Sequence, residues 1–368
     1  MIAESLTDAG LRVMVVDKRE AASGATAAST ALLQYEIDTP LGLLGKQVGS
    51  GRALRLWRRS QLALDTLRSR TRRLGIDAAL HDRDSLYLEG DLLDAAALRH
   101  EAGMRRDAGF DVQWLSARQV KARFGIAHRA GLLGFGSMSC DPRRLATGYL
   151  RVAMRRGARV FAHTEVCAVD AHAQRVDVAL ANGHVIKARH VVFATGYEIG
   201  TGVPRKGHRI RSTWAIATRP QPGWPTGCLI WEAAEPYLYL RPGPRGRVIC
   251  GGEDQAFQDA GHRDALTPLK VRALERKLHA LLPKLDCRAQ LSWCGSFGSS
   301  PTGTPSMGRI PGMPHCYAVL GYGGNGITFS MAAAQIVRAQ ITGESDVDAD
   351  LFSFHRRWPA LRSAPADN

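Results

Sequence analysis

The chain has 368 residues, of which 45% are hydrophobic and 23% are charged, so it is long enough for one large or two medium domains with a substantial core. Its seven cysteines include no C-x-x-C pair, which argues against a disulfide framework and a structural zinc site, and we expect no metal. The net charge of +15 comes mostly from arginines spread along the chain, so no nucleic-acid partner is expected. No apolar run is long enough to span a bilayer and the N-terminus has no signal-peptide pattern, which predicts a cytoplasmic protein without a transmembrane segment.

The chain begins with a pattern typical of the end of a βαβ unit. Residues 2–10 have helical periodicity, and residues 11–16 form a valine-rich run that ends at Asp17. Such a run predicts a buried parallel strand, because crossover helices cover both faces of a parallel sheet. An acidic residue at the tip of the second strand of a nucleotide-binding sheet accepts hydrogen bonds from ribose hydroxyls, although an aspartate there also forms turns.

A segment of small residues, SGATAAS at 23–29, then leads into a helix. Backbone N–H groups in such a segment can approach a phosphate closely, although a flexible loop has the same composition. Residues 41–75 place apolar residues at helical spacing among arginines, which predicts helix with a solvated arginine face.

The middle of the chain alternates short strands with helices, and Asn182-Gly183 predicts a hairpin turn. Strands are predicted at residues 85–88, 158–162, 166–171, 175–180, 185–189, 190–196, 214–218, 229–232, 237–241, 247–251 and 290–293. Helices are predicted at residues 91–108, 116–124, 141–157 and 268–282.

Near the C-terminus a third buried strand is predicted at 317–320, followed by a glycine cluster at 321–326 and a helix at 327–341. Four glycines in six positions cost backbone entropy unless close approach or a positive φ is required. Between a strand and a helix, such a loop is expected to cradle a cofactor with its backbone amides.

Tyr237, Tyr239 and Arg241 alternate along a predicted strand, so their side chains share one face. We predict that this face forms a wall of the substrate site and that these three residues contact the reacting molecule. A sheet face packed on the core, with its polar tips exposed, gives the same pattern.

Five ordered motifs resemble the family of D-amino-acid oxidase, glycine oxidase and sarcosine oxidase: VVD, GATAAST, FATG, WCGSFGSSPTGTPSMGRI and GYGGNGI. The resemblance covers nearly the whole chain. It implies an α/β fold in which a Rossmann-like FAD-binding domain of the glutathione-reductase type is interleaved with a largely antiparallel β substrate domain of the α+β kind. The implied bounds are 1–75, 139–208 and 296–358 for the FAD domain, 76–138 and 209–295 for the substrate domain, and 359–368 for a tail.

The resemblance also implies which residues hold FAD. Asp17 would bind the ribose, with Lys18 and Arg19 nearby, and Val166 would contact the adenine through its backbone. The residues implied beside the pyrophosphate and the flavin are Ala25, Thr26, Ala27, Ala28 and Ser29, and those beside the nucleotide are Ala194, Thr195 and Gly196. The residues implied against the isoalloxazine ring, with N–H groups that stabilise negative charge on the reduced flavin, are Gly323, Gly324, Asn325, Gly326 and Ile327.

The sequence departs from the family pattern at its start. The family opens with a strand and G-x-G-x-x-G, about 20 residues before the acidic residue. Counting back from Asp17 places those glycines at or before Met1, so we expect the first strand of the nucleotide-binding sheet to be lacking. A start codon assigned too far downstream is the expected cause, and a truncated relative without FAD is the alternative.

A second departure concerns the substrate site. Amino-acid-oxidising relatives carry an arginine in W-x-G-x-R-P that pairs with the substrate carboxylate. Phe297 and Gly298 occupy those places here, and Arg241 is the predicted substitute. Cys294 lies near the position where some relatives attach flavin covalently but does not match it, so non-covalent FAD is expected.

We therefore predict an enzyme that removes hydride from the carbon beside an amine nitrogen and passes it to flavin N5, giving an imine. Its expected partners are a small amine, amino acid or other anionic substrate and an electron acceptor, oxygen or another, that the sequence does not specify. One alternative is a 2-hydroxy-acid or glycerol-phosphate dehydrogenase of the same architecture, which Phe297 and the abundant arginines favour. The other is an inactive, truncated binding protein.

Overall fold

A computed structural model describes residues 1–205, 207–221 and 227–356, and the predicted tail at 359–368 lies outside the described residues. Its α-helices are α1 (Ile2–Asp8), α2 (Ala25–Ala28), α3 (Leu41–Val48), α4 (Ser50–Arg73), α5 (Ala95–Asp107), α6 (Ala117–Phe124), α7 (Pro142–Arg155), α8 (Ala260–Leu281), α9 (Gly326–Thr342) and α10 (Ala349–Phe352). The first strands are β1 (Met14–Val16), β2 (Leu32–Leu33), β3 (His81–Leu88), β4 (Val112–Leu115), β5 (Gly131–Ser139), β6 (Arg159–Phe161), β7 (Val166–Ala171), β8 (Val176–Leu180) and β9 (Val185–Ala188). The remaining strands are β10 (Val191–Phe193), β11 (Arg209–Thr218), β12 (Leu229–Glu232), β13 (Leu238–Pro242), β14 (Val248–Gln255), β15 (Ala289–Ser299), β16 (Ser306–Arg309) and β17 (Cys316–Leu320).

Two small parallel pairings and one large sheet organise the chain. β1 pairs in parallel with β6, and β10 pairs in parallel with β17, which also pairs antiparallel with β16. β7, β8 and β9 form an antiparallel sheet. The large sheet has the order β15-β11-β14-β13-β12-β3-β5-β2, with β4 beside β5, and it is antiparallel apart from the pairing of β12 with β3. The predicted α/β fold with a largely antiparallel second part is confirmed.

Helices cover both kinds of sheet. α4 buries a stripe that includes Leu56, Trp57, Leu64 and Leu67, at the spacing of one helical face, and packs against α9. Gly49, with φ of 90°, separates α3 from α4 because this left-handed conformation ends the helix. α8 packs on β11, β14 and β15 around a second apolar cluster. The division into the two predicted domains remains a prediction.

Several predicted bounds differ from the structure. The run at 11–16 contains the parallel strand β1, but it is not buried: Met14 is exposed, and Val15 and Val16 are half-buried. The reason is that these residues line a large cavity instead of packing under a helix. The predicted helix at 268–282 begins eight residues earlier, since the Asp259 side chain caps it by accepting from the His262 N–H. None of the helices in the described ranges is long and apolar enough to cross a membrane.

Candidate cofactor and substrate site

One cavity of about 2700 Å³ brings the sequence-predicted residues together. Small-molecule pockets usually measure roughly 300–1,000 Å³, so this cavity has room for a dinucleotide as well as a substrate. Every residue predicted to bind FAD lines it, from Asp17 at one end to Ile327 at the other, and so do Tyr237 and Tyr239. Their roles in binding remain predictions.

The first end of the cavity is formed where β1 and β6 stop. Asp17 follows β1, and its Oδ1 accepts a hydrogen bond from the Arg19 N–H at 2.9 Å, which fixes the carboxylate at the strand tip. Lys18 and Arg19 both form ion pairs with Glu198, which holds the pKa of that carboxyl below its usual range. Val166, at the start of β7, lines the same end. A carboxylate at a strand tip beside exposed backbone is suited to a ribose.

Small side chains line the middle of the cavity. The residues of α2 and the turn after β10 carry nothing larger than threonine up to Gly196, so the backbone is accessible to a ligand. The Trp293 indole donates to the carbonyl of Ala28 at 2.8 Å and so fixes the end of α2 against β15. This arrangement lets a phosphate or a ring lie close to the main chain.

The glycine loop after β17 is held by the segment at 34–38. The Asn325 side chain donates to the Glu36 carbonyl at 2.6 Å, and the Gly324 N–H donates to Asp38 Oδ2 at 2.9 Å. A Cβ at Gly324 would lie 2.9 Å from Asp38 Oδ1, and a Cβ at Gly323, where φ is 60°, would come closer still. The Gly324 N–H therefore faces Asp38, which corrects the expectation that it points to the flavin. The close approach of Asp38 explains why two glycines follow one another here.

Tyr237 and Tyr239, here called the tyrosine wall, both line the cavity, and the centroids of their rings lie 5.5 Å apart. Their contact with a substrate stays a prediction. Trp231 lines the cavity next to them, and its ring is stacked on Tyr87 at 3.9 Å. The Trp231 indole donates to Ser85 at 3.0 Å, and Ser85 also accepts from the Gln34 side chain. Burial raises the pKa of both cavity tyrosines, so both hydroxyls stay protonated at neutral pH.

Arg241 does not join this wall. It is 7% exposed and is not among the residues that line the cavity. Its guanidinium donates to the backbone carbonyls of Thr30, Cys140 and Pro242. Burial lowers the pKa of Arg241 to about 10. Arg241 lies on β13 as the alternation predicted, but its long side chain reaches away from the cavity to main-chain acceptors. The prediction that Arg241 is the carboxylate anchor is corrected accordingly.

Two carboxylates that the sequence analysis did not select lie near the tyrosine wall. Asp38 lines the cavity, and desolvation by the surrounding residues raises its pKa to about 6. Asp254, which is 8% exposed, has a pKa raised to about 6 by burial, and its negative charge acts on both Tyr237 and Tyr239. A sequence signal existed for Asp38, because polar Gln34, Glu36 and Asp38 alternate with Tyr35 and Ile37.

The fold and this cavity define a flavin-binding oxidoreductase. Residues 1–340 match the DAO family, described as FAD dependent oxidoreductase, and the chain belongs to that family. Membership confirms the predicted class of enzyme and its cofactor, FAD. The acidic strand tip and the small-residue lining fit such a group, since they offer a ribose acceptor and close backbone approach within one continuous cavity.

Known proteins similar to this chain agree with the fold. Glycine oxidase of Pseudomonas putida is 27% identical over 131 residues, which are 32% of this chain and 34% of that protein, so the match spans about a third of this curated relative. The solved glycine oxidase of Geobacillus kaustophilus has a TM-score of 0.79 at 20% identity and covers 97% of this chain and 95% of its own. L-proline dehydrogenase from P. horikoshii has a TM-score of 0.79 at 18% identity, covering 96% of this chain and 92% of its own.

Proposed function

We propose that this protein oxidises the C–N bond of a small amine or amino acid. The observation that carries the proposal is a single cavity that is lined by the acidic strand tip at Asp17, by the glycine loop at 323–326 and by Tyr237 and Tyr239. The similarity to glycine oxidase and to the iminodiacetate oxidase of Chelativorans sp. BNC1, with a TM-score of 0.75 at 20% identity and coverage of 96% and 95%, supports it.

FAD, when bound, would supply the two-electron oxidant to which the substrate gives up its C–H electron pair as hydride, while the substrate nitrogen lone pair forms the C=N bond of an imine that water hydrolyses. In this proposal Asp17 holds the ribose and the small residues at 25–29 and 194–196 accommodate the pyrophosphate. Gly324, Asn325 and Ile327 would line the part of the cavity that takes the flavin ring. Tyr237 and Tyr239 orient the substrate from the opposite wall.

The tyrosine wall can bind the substrate but cannot take a proton from its nitrogen. Because both phenols stay protonated, they can donate a hydrogen bond to the substrate but cannot act as bases at neutral pH. Asp38 lines the cavity and has a pKa raised to about 6, so it is ionised at neutral pH and can accept the proton that an ammonium must lose before oxidation. The cytoplasmic location stays a prediction, testable by fractionation.

The test is a substrate panel on protein reconstituted with FAD. Amines, amino acids and 2-hydroxy acids are each assayed with a dye as electron acceptor and again with oxygen, and carbonyl products are trapped with a hydrazine. We expect turnover with amines or amino acids and a loss of kcat/KM of about 10-fold in Tyr239→Phe, as one substrate hydrogen bond is removed. Tyr149→Phe is the control, because the Tyr149 hydroxyl forms a hydrogen bond with Thr71 at 3.0 Å and neither residue lines the cavity. Turnover of 2-hydroxy acids alone would refute the proposal.

A further inference from the structure

The cavity runs along the free edge of the large sheet. β15 is the terminal strand of that sheet and, in the part of the chain that the structure describes, pairs only with β11. Consecutive side chains of a strand face opposite sides, yet residues 293–297 all line the cavity. A cavity lined by every residue of a strand segment extends past the edge of that strand. Side chains from both faces of β15 therefore contribute to the same cavity.

Arg263 reaches this edge from the start of α8. The Asp259 side chain caps the helix, and the Trp214 indole donates to the Arg263 carbonyl at 3.2 Å, so the backbone here is fixed. The Arg263 side chain is 15% exposed and lines the cavity. A cation near the N-terminus of a helix opposes the helix dipole, so helix stability does not explain an arginine at this position.

The guanidinium of Arg263 is only partly supplied with acceptors. Nη1 donates to the Ser296 hydroxyl at 2.6 Å. Nε is buried and has no hydrogen-bond partner within the described ranges: Asp264 Oδ1 is 3.9 Å away and already accepts from the Cys294 thiol at 3.1 Å. The Cys294 sulfur also lies beside the guanidinium. Because unsatisfied buried donors are costly and charge-assisted hydrogen bonds are strong, an anionic oxygen entering the cavity would be stabilised here.

Arg263 also supplies the charge that Asp38 lacks. Among the described residues that line the cavity, Arg263 is the one lysine or arginine from residues 209–297, the stretch that contributes the tyrosine wall. The other lysines and arginines of the lining belong to residues 12–205, and Arg241 is outside the lining. An amino acid carries both charges, so Asp38 and Arg263 offer a partner for its ammonium and a partner for its carboxylate.

We infer that Arg263 binds the carboxylate of an amino-acid substrate, reaching it from α8 across the free edge of β15, and that Ser296 holds the guanidinium in position. The inference rests on the proposed function and narrows its substrate class to amines that carry a carboxylate. Phe297 leaves its own place on β15 without a charge, so the carboxylate is held from the neighbouring helix instead.

A carboxylate without an amine tests the inference independently of turnover. Propionate is titrated into the FAD-loaded protein in a calorimeter. We expect Arg263→Gln to raise the Kd for propionate at least about 10-fold, because a charge-assisted hydrogen bond is lost. Arg263→Lys keeps the charge but not the planar fork, so its Kd should lie between those of Arg263→Gln and wild type. Arg272→Gln, at an exposed position on α8, is the matched control and should leave the Kd unchanged.

Thermal unfolding of each variant shows whether it is folded, and turnover adds a second measurement. For an amino acid that the FAD-loaded protein oxidises, Arg263→Gln should raise KM at least about 10-fold and leave kcat unchanged, as expected when a binding contact to a non-reacting group is removed. For the amine that lacks this carboxylate, the substitution should change neither constant.

The Kd for FAD distinguishes the two anions that could reach the guanidinium. If Arg263→Gln weakens FAD binding as strongly as propionate binding, the arginine holds the pyrophosphate of the cofactor and the inference is overturned.

The measurements also separate the inference from the proposed function. If no amine or amino acid is oxidised but propionate binds in an Arg263-dependent way, the proposed oxidation fails and the carboxylate site stands. If propionate does not bind, or binds equally to wild type and Arg263→Gln, the carboxylate site fails, and amine oxidation in the substrate panel would still support the proposed function.

Discussion

The two ends of the cavity are built in different ways. At the end predicted to hold the nucleotide, the lining comes from short contiguous motifs in which a strand stops and small residues follow, as at Asp17 and at Gly196. At the end predicted to hold the substrate, the lining comes from separate segments that meet only in the folded protein, such as Asp38 and Tyr237, and the charge of buried Asp254 acts on Tyr237. The difference teaches that the predicted cofactor residues are contiguous in sequence, whereas the predicted substrate residues are brought together by tertiary pairing.

The largest effect is expected at Arg241, where a substitution distinguishes a structural role from a role in substrate binding. Arg241→Met leaves three carbonyls without their charged donor, so we expect it to lower the free energy of unfolding by about 4 kcal/mol. Urea unfolding at pH 7 measures this, with Arg58→Met on the exposed face of α4 as the control. A stable Arg241→Met protein with a raised KM would show that the arginine serves the substrate after all.

The next effect concerns the buried carboxylate Asp254. Because its pKa is about 6 in the folded protein and near 3.8 ordinarily, the folded state binds the proton more tightly than the unfolded state between those values. Stability contributed by the protonated form is therefore lost as pH rises from 4 to 6, by up to about 3 kcal/mol. Asp254→Asn has no carboxyl group to titrate at this position and should not lose this stability. The difference in unfolding free energy between variant and wild type should therefore grow from pH 4 to pH 6. The neighbouring Asp38, Glu235 and Arg211 are present in both proteins.

A parallel pair of urea curves at pH 4 and pH 6 checks the prediction. Asp107→Asn serves as the exposed control and should follow the wild type at both values. A difference between Asp254→Asn and wild type that stays constant from pH 4 to 6 would mean that Asp254 is not desolvated at the tyrosine wall.

A smaller effect tests the contact between the glycine loop and Asp38. The Cβ of Gly324→Ala would press on Asp38, so we expect a loss of about 1 kcal/mol in unfolding free energy. Asp38→Ala should relieve that loss, which a double-mutant cycle measures as a coupling energy. Gly51→Ala meets no atom within 4 Å in α4 and should be neutral or slightly stabilising. Additive effects at Gly324 and Asp38 would contradict this packing.

Much of the fold was predictable because apolar runs and turn residues are local signals. The parallel strand before Asp17 and the turn at Gly183 were predicted from such patterns, and the structure contains both. The start of α8 was not predicted, because a proline is favoured in the first turn of a helix whereas Pro268 lies within this one. The half-buried state of β1 depends on the cavity beside it, which no local pattern reports.

The substrate end was less predictable for a physical reason. Alternation predicted that Tyr239 and Arg241 share a face, but it could not show that the longer side chain reaches to the carbonyls of Thr30 and Cys140. Asp254 is separated from Tyr237 by a turn, and only the antiparallel pairing of β13 with β14 brings its charge close enough to act on Tyr237. Such relations are set by register, and register cannot be predicted from one strand alone.

We propose that one cavity holds FAD at the Asp17 end and binds the substrate at the wall formed by Tyr237 and Tyr239. The most direct test is a fluorescence titration of FAD into wild type, Asp17→Ala and Tyr239→Phe, followed by a steady-state assay of each at saturating FAD. We predict that Asp17→Ala raises the Kd for FAD by about 10- to 100-fold without changing kcat/KM for the amine, since charge-assisted hydrogen bonds to the ribose are lost. Tyr239→Phe should lower kcat/KM about 10-fold without changing the Kd for FAD. If both substitutions weaken FAD binding and lower kcat/KM equally, the two ends of the cavity do not have separate roles.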